Sequence, residues 1–357
     1  METAPLHDPK PVYKAAESTL FVSLNGVYSH PWDLKNFRSL VSFGDSLTDR
    51  ARFTYIANNN GTEPPVGWIE PDSNNTATGG YSWVHYVAES GVNLYNYAVG
   101  GAVCSDKITP VTLLDFLVPA FVEYEIPAYF ADKKYTDPDS GEKIIDAPAN
   151  ETVYSIWIGT NDLANLGFLS DAQVEGKTIS DSIECVYSAL DELYAHGARY
   201  FVLMNIPPLQ LAPLWATPER DGIQGENWAW PDKPANITRV SYRAWQEVDM
   251  VNYAYKYQTP YEMLIAERYP EARFALMDMN GLITHIYNNP SDYLDAPSNV
   301  TGYINHCNVD MSECHRLDNP DSFLWYDYSH PSQRTSQVLA ENFLDVVKGE
   351  SEWATYW

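Results

Sequence analysis

The sequence predicts one doubly wound α/β domain, and three observations carry that prediction. Short apolar runs occur at residues 40–43, 94–97, 153–158, 200–206 and 274–277, continuous rather than alternating, as in strands covered on both faces. Helical patterns lie between and after them, and strands alternating with helices imply right-handed crossovers and a parallel sheet. The composition of the 357 residues, 45% hydrophobic and 14% aromatic, is ample for a packed core and excludes a disordered chain.

Taken in order, residues 1–38 lack a clear period and are expected to form an N-terminal extension packed on the domain, which then occupies 39–357. Helices are expected at 81–89, at 179–196, at 239–268 with an interruption at Pro260, and at 331–348. The last has Pro331 at its first position and Ser329 or His330 near the cap. Charged stretches with Gly and Pro at 133–150, 218–234 and 288–319 read as long surface loops inserted in the domain. No internal repeat or low-complexity tract is visible.

Charge narrows the partners. The chain has 22 Lys+Arg against 48 Asp+Glu, a formal charge of −26, which phosphate backbones and anionic lipid surfaces repel. Neither nucleic acid nor a membrane is therefore expected as a partner. The nearest approach to a membrane span, 108–122, is interrupted by Thr112, Asp115 and Pro119.

The start, Met-Glu-Thr-Ala-Pro, has neither a basic nor an apolar leader region. Five Asn-x-Ser/Thr sequons, at Asn60, Asn74, Asn150, Asn236 and Asn299, nevertheless predict a secreted glycoprotein whose leader was processed or replaced by Met1. Four cysteines, Cys104, Cys185, Cys307 and Cys314, agree with an oxidising compartment. Cys307 and Cys314 enclose a short loop suited to a bridge, and by elimination Cys104 pairs with Cys185. His306 and His315 flank the short loop, which makes a Cys₂His₂ zinc site the alternative reading. The spacing departs from finger patterns and oxidised cysteines cannot ligate, so no metal is expected.

In an open parallel sheet ligands bind beyond the carboxyl ends of the strands, so the residues just after each strand are the candidates. The first run leads into Gly44-Asp45-Ser46-Leu47, which would put a serine hydroxyl at the sheet edge. The second leads into Asn96-Tyr97-Ala98-Val99-Gly100-Gly101, where glycine lets a backbone N–H approach a ligand. The third ends in Gly159-Thr160-Asn161-Asp162, which places a carboxamide donor on the same rim. Near the C-terminus, Asp327 stands three residues before His330, close enough to accept from Nδ1–H across one turn. Each fragment alone is equally a turn, a cap or a surface cluster. In chain order on one rim, they supply nucleophile, base, base-orienter and oxyanion donors. Asp45 and Asp162 have no evident proton-transfer role and read as structural hydrogen-bonding groups.

These blocks resemble the GDSL, or SGNH, hydrolases over most of the chain. The resemblance implies a flavodoxin-like three-layer α/β/α sandwich with a five-stranded parallel sheet. It also implies Ser46 as nucleophile, His330 as base and Asp327 as its partner, with an oxyanion hole from the N–H of Ser46, the N–H of Gly101 and the side chain of Asn161. Gly101 is preferred because it lies five residues after Asn96; Gly100 stays open. No cofactor is implied.

Tyr97 to Cys104 and Ile158 to Leu163 are more closely similar to the fungal extracellular acetyl esterases of carbohydrate esterase family sixteen. That likeness implies a secreted monomer removing acetyl groups from plant-cell-wall oligosaccharides. The 11 Trp and 26 Tyr agree, since Trp68, Trp228, Trp230, Trp325 and Tyr326 stand in loop segments where rings can stack on sugars. Two alternatives remain: a lipolytic member of the superfamily, lipase- or phospholipase-like, and a non-catalytic carbohydrate-binding protein on the same fold.

Overall fold

The computed structural model describes residues 32–357. Five parallel strands, β1 (Ser39–Gly44), β2 (Asn93–Asn96), β3 (Thr152–Trp157), β4 (Tyr200–Met204) and β5 (Arg273–Met277), stand in the order β2-β1-β3-β4-β5. A sixth strand, β6 (Ala354–Tyr356), pairs antiparallel with β5 and has no counterpart in the sequence-based expectation. Three residues are too few to show a period, and pairing with β5 alone makes this segment a strand.

Every residue of β1 and β3 is buried, which explains their unbroken apolar runs. Ser42 and Ser155 face each other in register, and their hydroxyls bond at 3.1 Å. The other face carries rings: Phe43 and Tyr154 both meet Tyr129, while Tyr154 lies 5.9 Å from Phe201 and Phe201 4.7 Å from Phe274.

Eight helices cover the sheet among the described residues: α1 (Arg52–Asn58), α2 (Trp83–Glu89), α3 (Ile126–Lys134), α4 (Thr160–Leu163), α5 (Ile179–Ala195), α6 (Ile237–Leu264), α7 (Met279–Asn288) and α8 (Gln333–Lys348). The result is the expected α/β sandwich. Helices α1, α3, α4 and α7 have no counterpart in the sequence-based expectation; they span 7, 9, 4 and 10 residues, short windows for a period of 3.6. Helix α6 does not break at Pro260, because the missing N–H falls near the end of a 28-residue helix and removes one bond. Helix α8 begins two residues later than expected: Ser332 is its cap, with its hydroxyl accepting from Thr335 N, while Pro331 bridges to Trp325.

The expected loops are more structured than their composition implies. Within 218–234, Trp230 and Lys233 are buried, and the Lys233 ammonium donates to the carbonyls of Leu214, at 2.6 Å, and Ile223. Burial pushes that ammonium down to about 8. Within 288–319, the strand Asn299–Tyr303 pairs with Phe323–Trp325, and Asn305–Cys307 forms a hairpin with Cys314–Arg316. Of the predicted extension, residues 1–31 lie outside the described residues. Trp32 packs on Tyr200 and Tyr356 and donates from Nε1 to the Val347 carbonyl. No helix among the described residues is long and apolar enough to cross a membrane.

Candidate active site

The strand order reverses between β1 and β3, because the chain leaves β1 for β2 on one side and reaches β3 on the other. The crevice beyond their carboxyl ends is the expected ligand position. Gly44 ends β1 at φ +150°, and a Cβ there would lie 2.3 Å from the Trp157 carbonyl oxygen, so the turn requires glycine. Asp45 follows, fully buried. Its carbonyl accepts from the N–H of Thr48 and Asp49, and its Oδ1 accepts from Leu47 N at 3.0 Å. These bonds close a tight turn that lifts Ser46 to the rim.

Ser46 Oγ lies 2.8 Å from His330 Nε2. His330 Nδ1 lies 2.9 Å from both oxygens of Asp327, so it donates to the carboxylate and leaves Nε2 to accept from the serine. Asp327 Oδ1 also accepts from Ser329 N and His330 N, which fixes carboxylate and imidazole as one unit. Burial alone would raise Asp327, but the His330 charge and these bonds hold it below the usual carboxylate range. For His330, burial lowers and Asp327 raises; the carboxylate wins and the imidazole sits above its ordinary value.

A third carboxylate distinguishes the two candidate glycines. Asp49 Oδ2 accepts from Gly100 N at 2.7 Å, so that N–H is taken. Those of Ser46 and Gly101 make no hydrogen bond within the described residues, and Gly101 adopts φ +83°. Asn161 completes the group: its Nδ2 donates to the Ala102 carbonyl at 2.9 Å, which orients the carboxamide. Asp162, next to it, is buried and accepts from Cys104 N, Thr109 Oγ1 and Ser182 Oγ, tying the second and third rim loops together. Glu125, also buried, accepts from Gly44 N. Burial raises Asp45 to about 7 and pushes Asp49, Asp162 and Glu125 upward.

Sequence reasoning named Asp45 and Asp162 as structural groups but missed Asp49 and Glu125. The available signal was their position, acidic residues inside or beside apolar blocks, because a carboxylate there must be bonded or raised in pKa.

The disulfides join Cys104 to Cys185 and Cys307 to Cys314. His306 and His315 stack at 5.2 Å beside the second bridge. Asn60, Asn74, Asn150 and Asn236 are exposed, Asn236 capping α6, while Asn299 is half-buried and accepts from Thr301 N and Gly302 N. The loop aromatics require a correction: Trp230, Trp325 and Tyr326 are buried, and Trp68 and Trp228 are half-buried. Trp325 Nε1 finds its partner in the Val300 carbonyl, so this ring supports the loop instead of facing a sugar.

The family model for GDSL-like lipases and acylhydrolases matches residues 40–343. The chain is 38% identical to an acetylesterase of Hypocrea jecorina over 341 residues, which cover 94% of this chain and 95% of that protein. It is 26% identical to an acetylesterase of Thermothelomyces thermophilus, over 87% of this chain and 88% of the other. Among solved structures it matches a catalytic mutant of an acetylxylan esterase from Geobacillus stearothermophilus with a TM-score of 0.40 and 15% identity, over 88% of this chain and 96% of that chain.

Proposed function

Because the chain belongs to the family of GDSL-like lipases and acylhydrolases and is a carboxylic ester hydrolase, we propose that it is a secreted esterase removing acetyl groups from plant-cell-wall carbohydrates. Ser46 is the nucleophile, His330 the base and Asp327 the group that orients it. His330 Nε2 takes the Ser46 proton as Oγ attacks the acetyl carbonyl, then returns it to the departing sugar hydroxyl. Water repeats the sequence on the acyl-enzyme. The N–H groups of Ser46 and Gly101 and the Asn161 carboxamide hold the tetrahedral oxyanion; one side-chain donor of this kind is worth about 2.7–4 kcal/mol.

The 2.8 Å approach of Ser46 Oγ to His330 Nε2 carries the hydrolytic reading, and likeness to a curated acetylesterase along nearly the whole chain carries its acetyl form. Sequons, with four of the five asparagines exposed, and two disulfides support secretion.

The test is kcat/KM for acetyl, butyryl and octanoyl esters of one chromogenic alcohol, then for acetylated xylo-oligosaccharides. Forcing extra methylenes into filled space costs about 1–3 kcal/mol, and about 1.4 kcal/mol is tenfold in rate. Acetyl should therefore exceed butyryl by about fivefold or more. Equal or rising values with acyl length would make the protein a lipolytic acylhydrolase instead.

A further inference from the structure

Along the same carboxyl rim as Ser46, but beyond β4 and β5, lies a second cleft of about 370 Å³ that the ester chemistry does not use. Asn205, the residue after β4, forms part of its floor: Nδ2 donates to Asp278 Oδ1 at 2.8 Å and Oδ1 accepts from Asn280 N at 2.9 Å. Helix α6 forms the wall, where Trp245, Asp249 and Tyr253 repeat every four residues on one face. Glu352 also lines the cleft.

The aromatic face continues past the cleft. Among the described residues Tyr242, Trp245, Tyr253, Tyr257 and Tyr261 are 55%, 43%, 52%, 55% and 55% exposed, and Tyr253 and Tyr257 stack at 5.9 Å. At 1.5 Å per residue the row runs about 28 Å along the helix.

We infer that this cleft and the outer face of α6 bind a neutral polysaccharide chain, as a docking site separate from the ester-cleaving centre; the identity of the polymer rests on the carbohydrate reading above. Flat rings with polar edges match the CH face of a pyranose, and carboxylates and carboxamides beside them can accept and donate to its hydroxyls. A row of this length fits several sugar units and exceeds one. In the cleft Asp249, Asp278 and Glu352 outnumber Lys256, and on a chain of net charge −26 this disfavours phosphates and anionic lipids. The same charge makes two copies repel, so a second molecule of this chain is a poor occupant of a face this large.

The experiment uses the full chain with insoluble deacetylated xylan and cellulose, measuring the fraction retained after sedimentation. Two double variants, Trp245→Ala with Tyr253→Ala and Tyr257→Ala with Tyr261→Ala, are compared with the parent for retention, Tm and kcat/KM on a soluble chromogenic acetate. Each should bind about tenfold more weakly, with Tm and small-ester turnover unchanged, because exposed rings are removed and the triad is untouched. A parent not retained on either polymer, or variants retained equally, overturns the inference. So does a parent that sediments as a dimer while the variants are monomers, since the face would then be a self-contact. If the soluble acetate is not hydrolysed but retention is present and lost in the variants, the docking site stands and the esterase reading fails.

Discussion

Ser46 leaves β1 above four buried carboxyl groups, Asp45, Asp49, Glu125 and Asp162, whereas His330 sits on a loop braced by a surface hairpin. On the nucleophile side each carboxyl accepts one or more N–H or O–H donors, and Arg52, itself buried, donates to the Asn96 carbonyl and the Tyr124 hydroxyl. On the base side, Tyr328 donates to the Cys307 carbonyl at 3.2 Å, Leu214 N donates to the Tyr328 carbonyl at 2.7 Å, and Asn305 N donates to the Tyr326 carbonyl at 2.7 Å. The Cys307–Cys314 bridge closes that hairpin, whose second strand is exposed. One half is positioned by polar groups inside the core, and the other by a covalent clasp at the surface. A buried carboxyl gives rigidity at the cost of pH sensitivity, while a disulfide does not titrate in this range.

The largest expected effect tests whether both halves serve one reaction. Ser46→Ala should lower kcat by about 10⁴-fold or more while Tm stays near the parent value, since the side chain is half-buried and, among the described residues, bonded only to His330. Substantial turnover by the pure variant would remove Ser46 from its role.

The bridges come next. Cys104–Cys185 spans 81 residues and lies beside the oxyanion loop, whereas Cys307–Cys314 spans 7. Chain entropy gives the long closure about 4.5 kcal/mol and the short one about 2.5 kcal/mol. Replacing both cysteines of each pair by alanine, with urea unfolding as the readout, should therefore destabilise the long-bridge variant more. Equal losses would mean that the hairpin contributes by packing on the base loop as well as by closure.

The smallest effect, and the one that separates the halves, is pH dependence. Burial raises Asp45 and Glu70 to about 7, so the folded state binds these protons more tightly than the unfolded chain. Stability should then fall as pH rises from about 4 to about 7. His330 adds to that trend, because a raised imidazole stabilises below its unfolded value and the gain is lost above its folded one. Asp327, held low, loses its contribution only in acid below that window. Turnover should have the opposite slope, since the proposed base, His330, must be neutral. Tm should be higher at pH 5 than at pH 8 while kcat/KM rises over the same interval, and Asp45→Asn should flatten the Tm profile. A Tm that climbs with pH would show that the buried carboxyls are ionised at little cost.

Much of the site was legible because its parts are local in sequence. Gly44-Asp45-Ser46, Asn161 and the Asp327-to-His330 spacing each need only a strand end or one turn to be set up, and the strands that carry them are continuous apolar runs. The preference for Gly101 over Gly100 rested on spacing from Asn96; what spacing could not show is that Asp49, 51 residues earlier, takes up the Gly100 N–H.

The sequence by itself determined the parallel sheet, the rim on which the proposed chemistry sits and the residue types proposed to supply it, because strand burial and turn geometry depend on near neighbours along the chain. Only the tertiary structure decided that β6 joins the sheet, that Trp230 and Trp325 are buried, and that the exposed rings lie along α6. A helix presents the same side chains whichever face is covered. What α6 leaves to solvent is set by the strands and loops that pack against its other side, contacts that form only once the whole chain has folded.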